Sequence, residues 1–397
     1  MSTTVAAFLA TLITTGMTSA VSHQFTMLGG CCAALLMATY ALVRPDSRVH
    51  FTFLLGAVAM SLLALISAEV NRCAESSTIH VLACYLALLS LAFSTPHLSS
   101  FCQQLMLFSN ILLTTWIIAQ AGRVNAFEAW AISNPAGAGN LMAAQINMTI
   151  PLVIANIATS PGPRKGVFAA LLAANILAVF LVMSRNGIGA MLALLVLYVL
   201  FNHKRLAICI IFPMLTAIVF LDSLLQIPFI HALLVRFRII GFKPVAPRSL
   251  IWEVSTRYIF ERPVFGVGPG KPKIVLAILD INHAHNNLVQ VALETGIPSA
   301  CFYVFMMAAI LILPVRAIFG RRELFLPTLS ILAYLAFSLT AGPLVFPGAT
   351  LLLAACVNEA RVGSGYVLGR MPIPRSSLNV HYPAIGRVQQ AHREYVA

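Results

Sequence analysis

Three side chains in this sequence, Arg185, Arg248 and His285, have the types and settings to act on a charged substrate. A guanidinium stays protonated and grips carboxylate or phosphate through a planar fork. An imidazole, with an ordinary pKa of about 6.5, accepts a proton at neutral pH. Arg185 lies in Ser184-Arg185-Asn186-Gly187, the only polar break in an apolar run from Val167 to Phe201. Arg248 opens Arg248-Ser249-Leu250-Ile251-Trp252, and Leu250, Ile251, Val254 and Tyr258 follow at the spacing of an amphipathic helix resting on a membrane surface. His285 belongs to His283-Ala284-His285-Asn286-Asn287, with His283 a secondary candidate. Each residue also has a plainer role: Arg185 as an interfacial anchor, Arg248 on a solvated helix face, the histidines as loop caps.

Other chemistries fit less well. His283 and His285 stand at i, i+2, share no helix face and have no nearby Cys or acidic partners, so no metal site is expected. Gly266-Val267-Gly268-Pro269-Gly270-Lys271 lacks both the first glycine of a nucleotide-binding loop and the Ser or Thr after its lysine, where Phe265 and Pro272 stand. A rigid Pro/Gly turn is the expectation there. The twelve carboxylates all fall in loops or near the ends of apolar runs. An ion-coupled transporter usually keeps an ionisable group near the bilayer midplane, so this pattern argues against one. The eight cysteines show no metal spacing and read as small buried hydrophobes.

The elements that must hold these residues are membrane spans. Of 397 residues, 59% are apolar and 9% charged, against roughly a quarter charged in soluble domains. Spans are expected at Thr4 to Val21, Phe25 to Val43, Phe51 to Ala68, Ile79 to Phe93, Phe101 to Ala121 and Ala136 to Thr159. The last ends at the breaker Pro161-Gly162-Pro163-Arg164-Lys165-Gly166. As one helix, Val167 to Phe201 would reach about 50 Å and overshoot a hydrocarbon core of about 30 Å, so it must fold back with Arg185 at the tip. Leu206 to Leu221, a span ending near Pro314 with a bend at Gly296-Ile297-Pro298, Leu324 to Thr340 and Leu344 to Val357 complete the set. The expected fold is all-α, a polytopic bundle of about twelve transmembrane helices. Residues 1–357 form the bundle, including a long loop at 222–285, and 358–397 form a disordered tail.

Orientation follows from the basic residues. Loops on one side, with the C-terminal tail, hold fourteen Lys and Arg, and the short loops opposite hold Arg72, Arg123 and Arg185. The positive-inside bias therefore places both termini in the cytoplasm, with the Arg185 turn and the 222–285 loop outside. Much of the net charge of +13 is thus an orientation signal, and nucleic-acid binding is not expected. The long loop holds eight basic residues against four acidic ones, which suits an anionic partner such as a phosphate-bearing lipid.

Taken in order, Ser184-Arg185-Asn186-Gly187, Arg248-Ser249-Leu250-Ile251-Trp252, Pro263-Val264-Phe265-Gly266-Val267-Gly268 and His285-Asn286 with Gly296 after nine intervening residues resemble the shared core of the O-antigen ligase and polymerase superfamily. Asn186 stands where that pattern usually has Gly, Trp252 where many ligases carry Leu, and Ser299 where Gly, Thr or Tyr is preferred. The resemblance implies a glycosyltransferase of the bacterial inner membrane with a periplasmic site, needing neither metal nor cofactor. The implied donor is an undecaprenyl pyrophosphate-linked glycan, and the acceptor is a sugar hydroxyl on lipid A-core or on a growing polysaccharide. Ligase is preferred to polymerase, and a lipid-linked sugar flippase is the alternative from another class. On this reading Arg185 and Arg248 hold the pyrophosphate, His285 takes the acceptor proton with inversion, and His283, Arg257 and Lys271 are secondary substrate-binding candidates.

Overall fold

The computed structural model of the protein describes residues 47–95, 98–121, 139–182, 184–202, 248–279, 281–320, 325–340 and 347–363, with scattered helical positions before residue 47. The expected spans at 4–21 and 25–43 lie largely outside the described residues, as do the span at 206–221, the start of the long loop to residue 247 and the tail after residue 363. The described chain runs β1 (Arg48–Val49), α1 (Phe51–Val70), α2 (Glu75–Ala87, continued by a 3-10 turn at Leu88–Ala92), β2 (Phe93–Ser94) and α3 (Ser99–Ala121). It continues through α4 (Gly139–Thr159), α5 (Gly162–Leu181), α6 (Arg185–Asn202), α7 (Arg248–Glu261), α8 (Asn287–Gly320), α9 (Phe325–Thr340) and α10 (Pro347–Gly363). The strands form only a two-residue antiparallel bridge, Arg48 opposite Ser94 and Val49 opposite Phe93.

Six of these helices are long and apolar enough to cross a bilayer: α1, α2 with its 3-10 extension, α3, α4, α5 and α8. The chain is therefore a helical membrane protein, since only self-satisfied backbones span hydrocarbon. Two cores hold the helices together. One gathers Met60, Tyr85, Met306 and Tyr334 from α1, α2, α8 and α9. The other gathers Leu113, Ile146, Val179 and Met191 from α3 to α6. Helix α4 packs on both α5 and α9 and so joins them.

The long apolar run is broken at Ser184, as expected, with α5 ending at Leu181 and α6 starting at Arg185. Three expected boundaries move. Helix α5 begins at Gly162, within the expected breaker, because Pro163 sits in the first turn, where its missing N–H leaves no bond unmade. Helix α8 passes Pro314 and ends at Gly320, and buried Ala317 keeps the extra turns packed. Helix α10 runs beyond Val357 to Gly363, so the first residues of the expected disordered tail are helical. Those residues are buried with partners: Asn358 Oδ1 accepts from Thr95 N at 3.0 Å, Glu359 Oε2 from Ser99 Oγ and Gln103 Nε2 at 2.8 Å each, and Arg361 Nη1 donates to Leu91 O at 2.6 Å.

Within α8 the helix breaks at Gly296, whose φ of 89° and ψ of 171° are open to glycine but not to other residues. The break strands the Leu293 and Glu294 carbonyls and the Ile297 N–H, and the loop after α7 takes up all three. Val267 N donates to Leu293 O at 2.7 Å, Gly268 N to Glu294 O at 3.1 Å, and Ile297 N to Pro263 O at 2.8 Å. Ser67, near the end of α1, adds a hydroxyl 2.5 Å from Phe265 O and 2.9 Å from Glu294 O. The two glycine-bearing motifs are thus two halves of one backbone clamp.

A Cβ built on Gly296 would lie 2.1 Å from Val264 O, whereas one on Gly189, inside α6, meets nothing within 4 Å. Gly296→Ala is expected to cost at least about 3 kcal/mol through strain and a parted clamp, and Gly189→Ala to be neutral or stabilising by up to about 1 kcal/mol. Thermal unfolding of both variants in the same detergent checks this, and equal melting temperatures would contradict the clamp.

Candidate functional site

Arg185 is the first residue of α6, and its neighbours explain its placement. Ser184 caps the helix, its Oγ accepting from Gly187 N at 2.9 Å while donating to Asn140 Oδ1 at 2.7 Å. A Cβ on Gly187 would lie 2.5 Å from the Ala143 Cβ, so only glycine lets α4 approach this closely. Asn147 Nδ2 then donates to Gly187 O at 2.9 Å. Cap, close approach and cross-helix bond fix the turn, and the exposed Arg185 projects from it.

Arg248 likewise opens α7. The stripe that α7 buries against α8 is Ile251, Ser255 and Ile259, at i, i+4 and i+8, while Leu250 remains exposed. This departs from the expected membrane-facing stripe because α8, rather than lipid alone, supplies the partner surface. Half-buried Arg248 has its pKa lowered first by burial and then by the charge of Arg185. Both guanidinium residues sit at the start of a helix, where the macrodipole is already positive, so positive charge accumulates at a place that an anion would relieve.

The histidine loop reaches the same place. His285 adopts a left-handed φ of 54°, uncommon for a residue with a side chain. Its ring centroid lies 4.1 Å from that of His283, with the planes tilted by 52°. Protein crowds both imidazoles although each keeps some exposed surface. Burial, then the charge of Arg248, lowers the His285 pKa to about 4. Burial, then His285, lowers that of His283 to about 3. Asn286 ends the loop by capping α8, its Oδ1 accepting from Leu288 N at 2.9 Å and Val289 N at 3.2 Å.

Electrostatic influence thus runs from Arg185 to Arg248 to His285 to His283. The other two candidates stand apart. Arg257 is exposed and nine residues after Arg248, which puts it about 13 Å along the axis and on the opposite face of α7. Lys271 spends a donor on Asn71 O at 2.5 Å, at the α1–α2 turn.

Several residues that shape the site carry little sequence signal. Trp252, Gln290 and Glu294 bond around the histidine loop, and Asn71 holds the clamp loop, its Oδ1 accepting from Arg262 Nη1 at 3.0 Å. A hint lay in the polar pair Gln290 and Glu294, one helical turn apart in an apolar stretch. Glu294 and Glu359 are both buried within helices, Glu294 two residues before the break at Gly296 and Glu359 in the last turns of α10.

Residues 168–304 match the family model described as O-antigen ligase. The matched stretch contains the Ser184 turn, α7, the clamp loop, the histidine loop and the kink of α8. No curated protein matches the chain at a significant level.

The two histidines predict a pH dependence of stability. In the unfolded chain they titrate near 6.5, above their folded values of about 3 and about 4. As pH falls the unfolded chain binds protons first, so stability present above about 6.5 drains away towards pH 4. Melting temperature followed from pH 7.5 to 4.5 should fall less steeply in a His283→Gln, His285→Gln double variant than in the unmodified protein. Parallel curves would remove the histidines as the cause.

Proposed function

We propose, from the match of residues 168–304 to the family model described as O-antigen ligase, that this membrane protein transfers a glycan from undecaprenyl pyrophosphate to a sugar hydroxyl, with lipid A-core as the acceptor, at the periplasmic face of the inner membrane. The observation that carries the reading is that the charge of Arg248 acts on His285 while that of Arg185 acts on Arg248. On this reading a donor pyrophosphate is held by the two guanidiniums, with its anomeric carbon towards the imidazole of His285.

In the proposed step the acceptor oxygen bonds to the anomeric carbon as the bond from that carbon to the pyrophosphate oxygen breaks. The electron pair leaves with the lipid pyrophosphate, whose growing charge the arginines offset. The acceptor proton passes to His285, and attack opposite the leaving group inverts the centre. His285 is neutral at working pH, as a base must be. Pyrophosphate beside Arg248 would also cancel part of the charge that holds the imidazole pKa down, so base strength rises once donor is bound. Neither metal nor nucleotide enters this scheme.

Incubation of the purified protein with an undecaprenyl pyrophosphate-linked oligosaccharide, with and without lipid A-core, tests the reading. Glycan joined to lipid A-core supports a ligase. Lengthened donor without that acceptor points to a polymerase, for which the departures at Asn186, Trp252 and Ser299 leave room. Donor that changes leaflet with no glycosidic bond formed refutes transfer. His285→Ala should lower transfer by about a hundredfold or more, the usual worth of a general base, with donor binding retained. Arg248→Lys keeps the charge but loses the fork and should lower transfer by about tenfold. Full activity in the lysine variant would reduce Arg248 to a diffuse attraction.

A further inference from the structure

The Ala284 peptide, between the two histidines, is held at both of its polar atoms. Its N–H donates to Gln290 Oε1 at 2.8 Å, and its carbonyl accepts from Trp252 Nε1 at 3.1 Å. Gln290 is itself held, because its Nε2 donates to Glu294 Oε1 at 2.9 Å. The same oxygen lies 3.4 Å from Gly270 N in the clamp loop. Ala284, Gln290 and Glu294 are all buried. A backbone N–H only donates, so the carboxyl of Glu294 on the other side of the amide keeps the Gln290 oxygen turned towards Ala284.

Two features give this chain of bonds a direction. Trp252 stands four residues after Arg248, on the same face of α7. Its indole N–H therefore ties the helix that carries Arg248 to the peptide that precedes His285. His285 itself sits in the left-handed region, a conformation that persists only where its surroundings over-determine it. Asn286 fixes the residue after it as a cap, and the bonds at Ala284 fix the residue before it.

We infer that Gln290 and Trp252 are positioning residues, which hold the Ala284 peptide so that the imidazole of His285 stays within reach of Arg248. This rests on the transferase reading for its consequence in catalysis, while the hold on the loop stands independently. Gln290→Met keeps the side-chain length and removes both bonds. Trp252→Phe keeps an aromatic ring and removes only the indole N–H.

Hydrogen–deuterium exchange over a peptide spanning 281–287 reads the hold directly, with thermal melting as the check that each variant folds. Gln290→Met should speed exchange at Ala284 by about tenfold, the worth of one buried hydrogen bond. Trp252→Phe should speed it by a smaller factor. With the undecaprenyl pyrophosphate-linked oligosaccharide as probe, both variants should lower kcat by about tenfold or more while KM for the donor stays within about twofold, because a misplaced base costs rate without weakening pyrophosphate binding. Unchanged exchange in Gln290→Met overturns the inference whatever the activity. Faster exchange with kcat unchanged overturns it too, leaving Gln290 a structural residue. If the unmodified protein transfers no glycan, the functional reading fails and the exchange comparison alone decides the hold on the loop.

Discussion

A helix interrupted inside a membrane protein leaves backbone groups that lipid cannot satisfy, and the structure around the site depends on how that is met at Gly296. Leu293 O, Glu294 O and Ile297 N all find partners in the loop between Pro263 and Gly268. Each of these groups would cost several kcal/mol if left unpaired in hydrocarbon. The loop is therefore a backbone partner as fixed as a strand. It follows α7 and precedes the histidine loop, so one set of bonds sets the reference frame for both Arg248 and His285. Ser67 and Asn71 extend the frame to α1, through Phe265 O and Arg262.

The Arg185 turn is held by a different means. Between α3, α4 and α5 the contacts include polar pairs, with Asn110 Nδ2 donating to Thr149 Oγ1 at 2.6 Å and Thr114 Oγ1 to Asn175 Oδ1 at 2.7 Å. Helices in lipid gain little by hiding apolar surface from one another, so small residues and cross-helix hydrogen bonds set their register. Gly187 against Ala143 and Asn147 on Gly187 O continue that seam up to Ser184. Two independently supported frames, one of backbone bonds and one of side-chain bonds, meet where Arg185 faces Arg248 electrostatically.

That meeting gathers like charge. Two arginines open helices whose dipoles are positive there, and a partly buried imidazole is kept neutral in part by the Arg248 guanidinium. Such an arrangement is unfavourable without an anion and favourable with one, which is what the proposed transfer from a lipid pyrophosphate requires. Holding His285 in a left-handed conformation adds strain of the kind that a surrounding bond network sustains.

Much of this was legible in the sequence, for physical reasons that do not need long-range contacts. Apolar run length is set by bilayer thickness, so the break at Ser184 and the spans expected from Phe51, Phe101 and Ala136 could be read to within a few residues of the helices observed. Gly296 before Pro298 announces a helix stop and restart through local backbone preference alone, and the structure places a kink there. The residue types of Arg185, Arg248 and His285 marked them as candidates, without saying that the three would come within electrostatic influence of one another. Tertiary structure alone decided which carbonyls the glycine loop would cap and that α7 would bury Ile251 and Ser255 on α8. It also decided that Glu294 and Glu359 would sit inside helices and that Arg257 would turn away while Trp252 and Gln290 closed on Ala284. Those outcomes depend on pairs as far apart as Ser67 and Glu294. Local propensity carries no information about which distant partner satisfies a buried polar group, because that choice is made only when the helices pack.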